Sequence, residues 1–442
     1  MTSLLIRGGT IVRPTGDERA DLLVDEGIIR EIFIRTTGQQ KLLAADQTID
    51  ANGQLLFPGF IDCHVHLREP GMEQKGTMET ESQSAVCGGV TTVCDMPNTN
   101  PPTVSVAALR EKIRIAENVA ACDIRFFFGV TQSEHLQELQ RMYADPSLSS
   151  LAGRCCGVKL YIDHSTGNQK AAQGVAEEAF RVCADTRLPL VAHCEDPVLN
   201  ARAAKLNTRD DISAHSQIRA PESEQRAIVT AVELAKRFGT HLHVAHLSTR
   251  RGLELVGQAK KDGLAITCEV APHHLFLSTE DYATLGALGK MNPPLRTPEH
   301  SEALWEGVEN GTVDCMASDH APHTLEEKQV LPALTAPSGV PGVETMIPLL
   351  LTVAAGRWPH PRPRPFQPKL KYADIRRLCF DNPNRIFSLR QTMIEQGTAA
   401  NLVLVHPGEE WEIHGAELHS KCGWTPYEGW RVTGRATVVG RW

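Results

Sequence analysis

The chain has 442 residues, enough for two or three domains or for one large α/β barrel with an appendage, at roughly 100–200 residues per domain. Apolar residues make up 41% and charged ones 22%, which excludes a disordered, collagen-like or coiled-coil chain. Forty-five basic against 53 acidic side chains leave a net charge of −8 with no long run of Lys or Arg, so nucleic acid is not an expected partner.

In MTSLLIRGGTIVR the apolar stretch from Leu4 to Ile6 is too short for a signal-peptide core, and no later stretch reaches the roughly 18 apolar residues of a membrane span. The expectation is a cytoplasmic protein with no membrane partner. Twelve cysteines, none of them spaced as CxxC, read as buried reduced thiols rather than a cysteine zinc site.

The first 50 or so residues alternate short β-like runs (SLLIRGG, TIVRP, ADLLVDEG, IIREIFIR) with Gly and Asp turns, the pattern of a small antiparallel unit. From Leu55 apolar runs alternate with helical stretches, which signals βαβ units and a parallel sheet. The expected strands are 57–67, 91–97, 124–130, 157–162, 188–194, 241–247, 265–271 and 313–319. Between them, segments such as Val106 to Val119 and Glu222 to Phe238 repeat apolar residues every three or four positions.

Eight such strands predict an α/β fold, a (β/α)8 TIM-type barrel over residues 55–390. HPRPRPFQ (360–367) reads as an extended surface connector and ADIRRLCF as a helix. GTAANLVLVHP and GRATVVGRW then return to strand character, so residues 1–54 and 391–442 are expected to share one small β-sandwich-like domain.

Buried barrel strands should be monotonously apolar, yet several here end in polar side chains: His64 and His66, Lys159, His193, His246 and Asp319. In a barrel these ends converge on one face, where active sites lie. Residues two apart on a strand point the same way, so His64 and His66 suit one metal ion; two hydrogen-bonded core histidines would give the same pair. Four histidines and a carboxylate together suit zinc or a similar divalent ion. Lys159 reads as a snorkelling lysine, as an ion-pair partner, or, once carboxylated by CO2, as an anion whose two oxygens can bridge two metals roughly 3.5–4 Å apart.

The motifs DCHVHLREPG (62–71), DMPNTNPP (95–102), GVKLYI with STGN (165–168), AHCED, HVAHLST, APHHL, KMNPPLR, SDHAPHTLEEK and GVPGVET (339–345) resemble those of dihydroorotases in the amidohydrolase superfamily. The resemblance implies His64 and His66 on one metal with Asp319, His193 and His246 on the second, and N6-carboxylated Lys159 as the bridge; some relatives carry aspartate at the lysine position. It implies that Arg68, Asn98 and His323 hold the carboxylate of the substrate. Asn292 is expected at the ring, with backbone from Pro337 and Gly339 helping. The implied activity is interconversion of L-dihydroorotate and N-carbamoyl-L-aspartate in pyrimidine biosynthesis, by hydroxide between two metals attacking the ring amide, with Asp319 as acid/base. A homodimer is the expected assembly. The alternatives are an allantoinase, a hydantoinase or dihydropyrimidinase, or a non-catalytic scaffold. Asp62 is expected to orient the site, His273 and His274 to be structural, and 165–168 to form an ordinary turn with a mobile lid as the alternative.

Overall fold

The computed structural model describes residues 3–35, 44–163, 170–172, 174–364 and 367–439, so the STGN turn lies outside the described residues. Five strands come first: β1 (Leu4–Ile11), β2 (Glu18–Asp25), β3 (Ile28–Ile34), β4 (Gln47–Asp50) and β5 (Leu55–Pro58). Eight follow: β6 (Phe60–Val65), β7 (Val90–Asp95), β8 (Asp123–Gly129), β9 (Cys155–Tyr161), β10 (Leu190–His193), β11 (Leu242–Val244), β12 (Ile266–Val270) and β13 (Cys315–Met316). The chain ends with β14 (Leu402–Glu412) and β15 (Arg431–Val439).

Strands β6 to β13 pair in chain order, each parallel to the next, as a chain of βαβ units requires. The ring closes through a bridge between Val65 and His320, with His66 N donating to His320 O at 2.7 Å. The fold is therefore the expected (β/α)8 barrel.

The helices on its outside follow the apolar spacing. Val106–Val119 is helical at the expected bounds: Ser105 caps it by accepting from Ala108 N, and Val106, Leu109, Ile113 and Ala116 form its buried stripe.

The second sheet is built from both termini, in the order β15-β14-β5-β1-β2-β3 with β4 also on β1. It is mixed, which corrects the antiparallel expectation: β4 and β5 both run parallel to β1. Leu4–Arg7 face Gln47–Asp50 while Thr10 and Ile11 face Leu55 and Leu56, and on the opposite edge the β1–β2 register is irregular between Ile6 and Gly9, over the stretch where β1 passes from one parallel partner to the other. Alternation along a strand reports a half-buried face but not the direction of its neighbour.

The expected single strand 57–67 is two strands in two sheets. At Gly59 an added Cβ would lie 2.0 Å from Thr91 Oγ1 and 2.4 Å from Asn401 Oδ1, so only glycine lets the chain cross there from the terminal sheet into the barrel.

Candidate metal centre at the barrel mouth

The named polar residues gather where the barrel strands end. His64 is on β6 and His66 just beyond it, Lys159 on β9, His193 at the end of β10, His246 two residues past β11, and Asp319 three past β13. All six are buried. Donor atoms of His64, His66 and Asp319 lie within 4.8 Å of one another, with Asp319 Oδ1 at 3.2 Å from His66 Nε2 and 3.5 Å from His64 Nε2. His193 Nδ1 faces His246 Nε2 at 3.0 Å.

A parallel register would put only alternate residues of β6 on one face. Here Cys63 Sγ and His64 Nδ1 both reach Glu269 on β12, because the β6–β7 register slips between Asp62 and Val65. Beyond the strands the backbone turns left-handed at Arg68 (φ 69°), His246 (φ 32°) and Asp319 (φ 47°). Three non-glycine residues in that region each cost of order 1–3 kcal/mol, a strain that concentrates at functional sites. Sequence periodicity cannot foresee these turns, since they follow from where each side chain must aim.

Three of the four imidazoles are fixed by acceptors on their far nitrogens. His64 Nδ1 donates to Glu269, His66 Nδ1 to Asn98 Oδ1 at 2.6 Å, and His193 Nε2 to Glu195 Oε2 at 2.7 Å. Each bond sets the tautomer and leaves the other nitrogen's lone pair toward the cluster, the arrangement that orients metal-binding histidines. His246 Nδ1 has no hydrogen-bond partner.

Burial would raise the Glu195 carboxyl, but Arg219 and His193 outweigh it and hold Glu195 well below the usual carboxylate range. Asp319 is held down, against its burial, only by positive charge facing it, from protonated His64, His66 and His246 or from a cation in their place. Burial pushes His66 down to about 4 and His246 well below its ordinary value, so both rings are neutral at pH 7 and free to donate lone pairs.

Lys159 is fully buried, its Nζ has no hydrogen-bond partner, and it sits 5.0 Å from the centre of the Tyr161 ring. Burial lowers it to about 8, against the pull of Glu269 and Asp319. A buried ammonium without a partner is an expensive group, and these facts fit neither a snorkelling side chain nor an ion pair. The N,O donor set and this orphaned amine together fit a divalent-metal centre.

A narrow cavity of about 20 Å³ connects the cluster to Arg68, Asn98, Tyr161, Asn292, Ser338 and Gly339. Arg68 is buried; its Nε donates to Pro322 O at 2.9 Å, Nη2 lies 3.2 Å from His323 Nε2, and Nη1 has no partner. His323 also contacts Lys75 Nζ and Glu327 Oε2, each at 3.1 Å. Burial, then Arg68, Lys75 and Lys328, holds its ring well below the ordinary histidine value.

Asn98 sits in the same wall but spends its carbonyl on His66. Asn292 Oδ1 accepts from His215 Nε2 at 3.0 Å. Pro337 is not among the cavity-lining residues; its carbonyl accepts from Lys328 Nζ at 3.0 Å. Asp62 accepts from His64 N and Ser318 N, tying β6 to the segment that carries Asp319, which is an orienting role.

His274 Nε2 donates to Pro293 O at 3.0 Å, as a structural histidine does, whereas both ring nitrogens of buried His273 lack partners.

Sequence reasoning missed four contributors: Glu269, Glu195, Tyr161 and Ser338. Glu269 carried a visible signal, a lone carboxylate inside the apolar run AITCEVA, and Glu195 stands two residues past a ligand candidate. Tyr161 and Ser338 carried none.

Comparison with known proteins agrees with this geometry. The pattern of the Amidohydrolase family matches residues 55–426. A dihydroorotase from Halobacterium salinarum is 39% identical over 92% of this chain and 91% of its own length, and one from Staphylococcus epidermidis is 36% identical over 98% and 97%. Among solved structures, L-hydantoinase (dihydropyrimidinase) from Arthrobacter aurescens superposes with a TM-score of 0.89 at 28% identity, over 99% of this chain and 95% of that one. With barrel, ligand cluster and family pattern coinciding over the same residues, the chain belongs to the amidohydrolase family.

Proposed function

We propose that this amidohydrolase is a dihydroorotase, opening the ring of L-dihydroorotate to N-carbamoyl-L-aspartate and closing it again. The observation that carries the reading is Arg68: a buried guanidinium with one nitrogen unpaired, in the wall of the cavity that also holds the ligand cluster. Such a group is completed by a carboxylate, which dihydroorotate has and a plain hydantoin ring lacks. Full-length relatives named dihydroorotase support the same substrate.

His64, His66 and Asp319 would hold one divalent ion and His193 and His246 another, with Lys159 as the bridge after carboxylation; zinc suits the donor set. Bound there, two such ions lower the pKa of water toward neutrality and polarise a carbonyl. The neutral form that burial favours for Lys159 is the form whose nitrogen bonds to CO2, losing a proton to become an anionic carbamate.

Arg68 and neutral His323 orient the exocyclic carboxylate, and Asn292 and the backbone at Ser338 and Gly339 border the ring. Asp319, held ionised, takes a proton from the attacking water and returns it to the ring nitrogen as the carbon–nitrogen bond breaks; the same carboxyl works in reverse during cyclisation. Asn98 acts through His66 rather than on substrate alone. The twelve free thiols fit a reducing cytoplasm, and a two-fold homodimer is the proposed assembly, read out by light scattering.

The direct test is turnover of dihydroorotate, allantoin and hydantoin, each with and without a chelator. Chelator-sensitive turnover of dihydroorotate far above the other two is the expected result. Preference for hydantoin would overturn the substrate assignment, and chelator-insensitive turnover the metal assignment.

A further inference from the structure

Apart from the barrel mouth, one other group of described residues brings three metal-ligating side chains together: Cys87, Glu344 and His419, with donor atoms within 4.8 Å of one another. They come from three elements. Cys87 ends the helix Met78–Cys87, Glu344 opens the helix Val343–Ala354, and His419 lies in the segment between β14 and β15. We propose that they form a second metal site, one that takes a borderline-soft divalent ion such as zinc and clips this C-terminal segment to the barrel helices.

The donors are one sulfur, one imidazole nitrogen and one carboxylate oxygen, a set that selects zinc-like ions over magnesium or calcium. They are also held in place by contacts that an ion would leave intact. The helix ends approach so closely that a Cβ on Gly88 would meet Glu344 Cα at 2.7 Å, which sets Cys87 beside Glu344. Glu344 Oε2 accepts from Ser84 Oγ at 2.9 Å and from His419 N at 2.8 Å. Its other oxygen faces His419 Nδ1 at 2.9 Å, where a hydrogen now sits between the two and a cation could replace it.

Two further features favour a cation. The helix ending at Cys87 has no basic side chain in its last turn, so the partial negative charge of that helix end is not offset from within the helix. All three donors border an open groove of about 400 Å³, which gives an ion access and water room to complete the coordination. Burial raises the Cys87 thiol, so the residue is protonated until an ion binds; sulfur–metal bond formation then releases that proton to solvent.

The ligand set at the barrel mouth contains no sulfur, so a sulfur-to-metal charge-transfer band separates the two sites. Cadmium is the probe, titrated into the metal-loaded enzyme. The expected result is one further equivalent bound with an ultraviolet charge-transfer band, displaced by zinc. The band should vanish in Cys87→Ser and the affinity should fall at least tenfold in His419→Ala, with ring-opening turnover before titration unchanged in both. No band in the unmodified enzyme, or a band of equal amplitude in Cys87→Ser, overturns the proposal. Should Cys87→Ser fold poorly, His419→Ala decides by itself, because His419 is half exposed: undiminished affinity there also overturns it.

Discussion

The mouth of the barrel and its interior below are built from the same strands and obey opposite rules. Below, Ile61, Cys63, Cys94, Phe127, Cys156, Val191 and Cys315 pack against Phe380 and Phe387, which close the far end. Their apolar surfaces bury one another, and the thiols of Cys63 and Cys156 find acceptors within the fold, at Glu269 and Phe126 O. At the mouth, side chains equally removed from water leave Lys159 Nζ, Arg68 Nη1 and His246 Nδ1 without hydrogen bonds.

The boundary is one residue thick: His243 contacts Glu269 at 3.1 Å on one side and stacks edge-on against Phe387, 5.1 Å away, on the other. The contrast teaches that burial alone does not mark a site. Several buried polar atoms left unpaired around one cavity do, because each costs free energy that a single bound group can recover.

The comparison breaks most sharply at Lys159. Replacing it with alanine should lower turnover by roughly 10³-fold while the fold survives, the scale of losing a preorganised group in a water-excluded site. Short carboxylic acids should restore part of the activity, measured as turnover against added acid. Full activity without rescue would remove the bridging role.

Arg68→Met should cost about 2–5 kcal/mol of substrate binding, because it leaves the substrate carboxylate unpaired in a buried site. Metal content by elemental analysis should stay at the wild-type value. A variant with unchanged kinetics would place the carboxylate elsewhere.

A third measurement uses pH. Burial holds His273 down to about 4, and neither of its ring nitrogens has a partner, so below the ordinary histidine value the unfolded chain binds a proton that the folded chain refuses. Its neutral burial is therefore without cost above about pH 6.5 and destabilises the fold progressively as pH falls toward 4, by up to ~3 kcal/mol. Thermal unfolding from pH 7 to 4 should show that slope together with those of the other buried histidines, and His273→Gln should make it shallower by this one group's share. An unchanged slope would show that the ring is not buried neutral.

The smallest effect belongs to the interior: Ile61→Val should reduce stability by about 0.5–1.5 kcal/mol in denaturant unfolding and leave turnover untouched. A change in turnover would mean that packing below the site controls its geometry.

Much of the site was legible because ligand chemistry needs particular residue types at strand ends. His64 and His66 two apart, Lys159 within GVKLYI, and Asp319 after VDCMA each interrupt an apolar run, and the periodicity placed those runs in a barrel. What was not legible depends on residues distant in sequence. Glu269 matters because it stands two strands round the barrel from His64, 205 positions away, and Asn98 proves to be a buttress of His66 before anything else. Gly59 gave no warning that one apolar run would be divided between two sheets.

The order of apolar runs and helical stretches therefore determined the barrel, the participation of both termini in a second sheet, and the types of donor available at the mouth. Those follow from local periodicity and from the burial that each pattern demands. Only the tertiary structure decided which nitrogen each histidine presents, which strand slips in register, where the backbone turns left-handed, and which amine is stranded without a partner. Those outcomes depend on atoms hundreds of residues apart arriving within a hydrogen bond's length, and no local pattern encodes that distance.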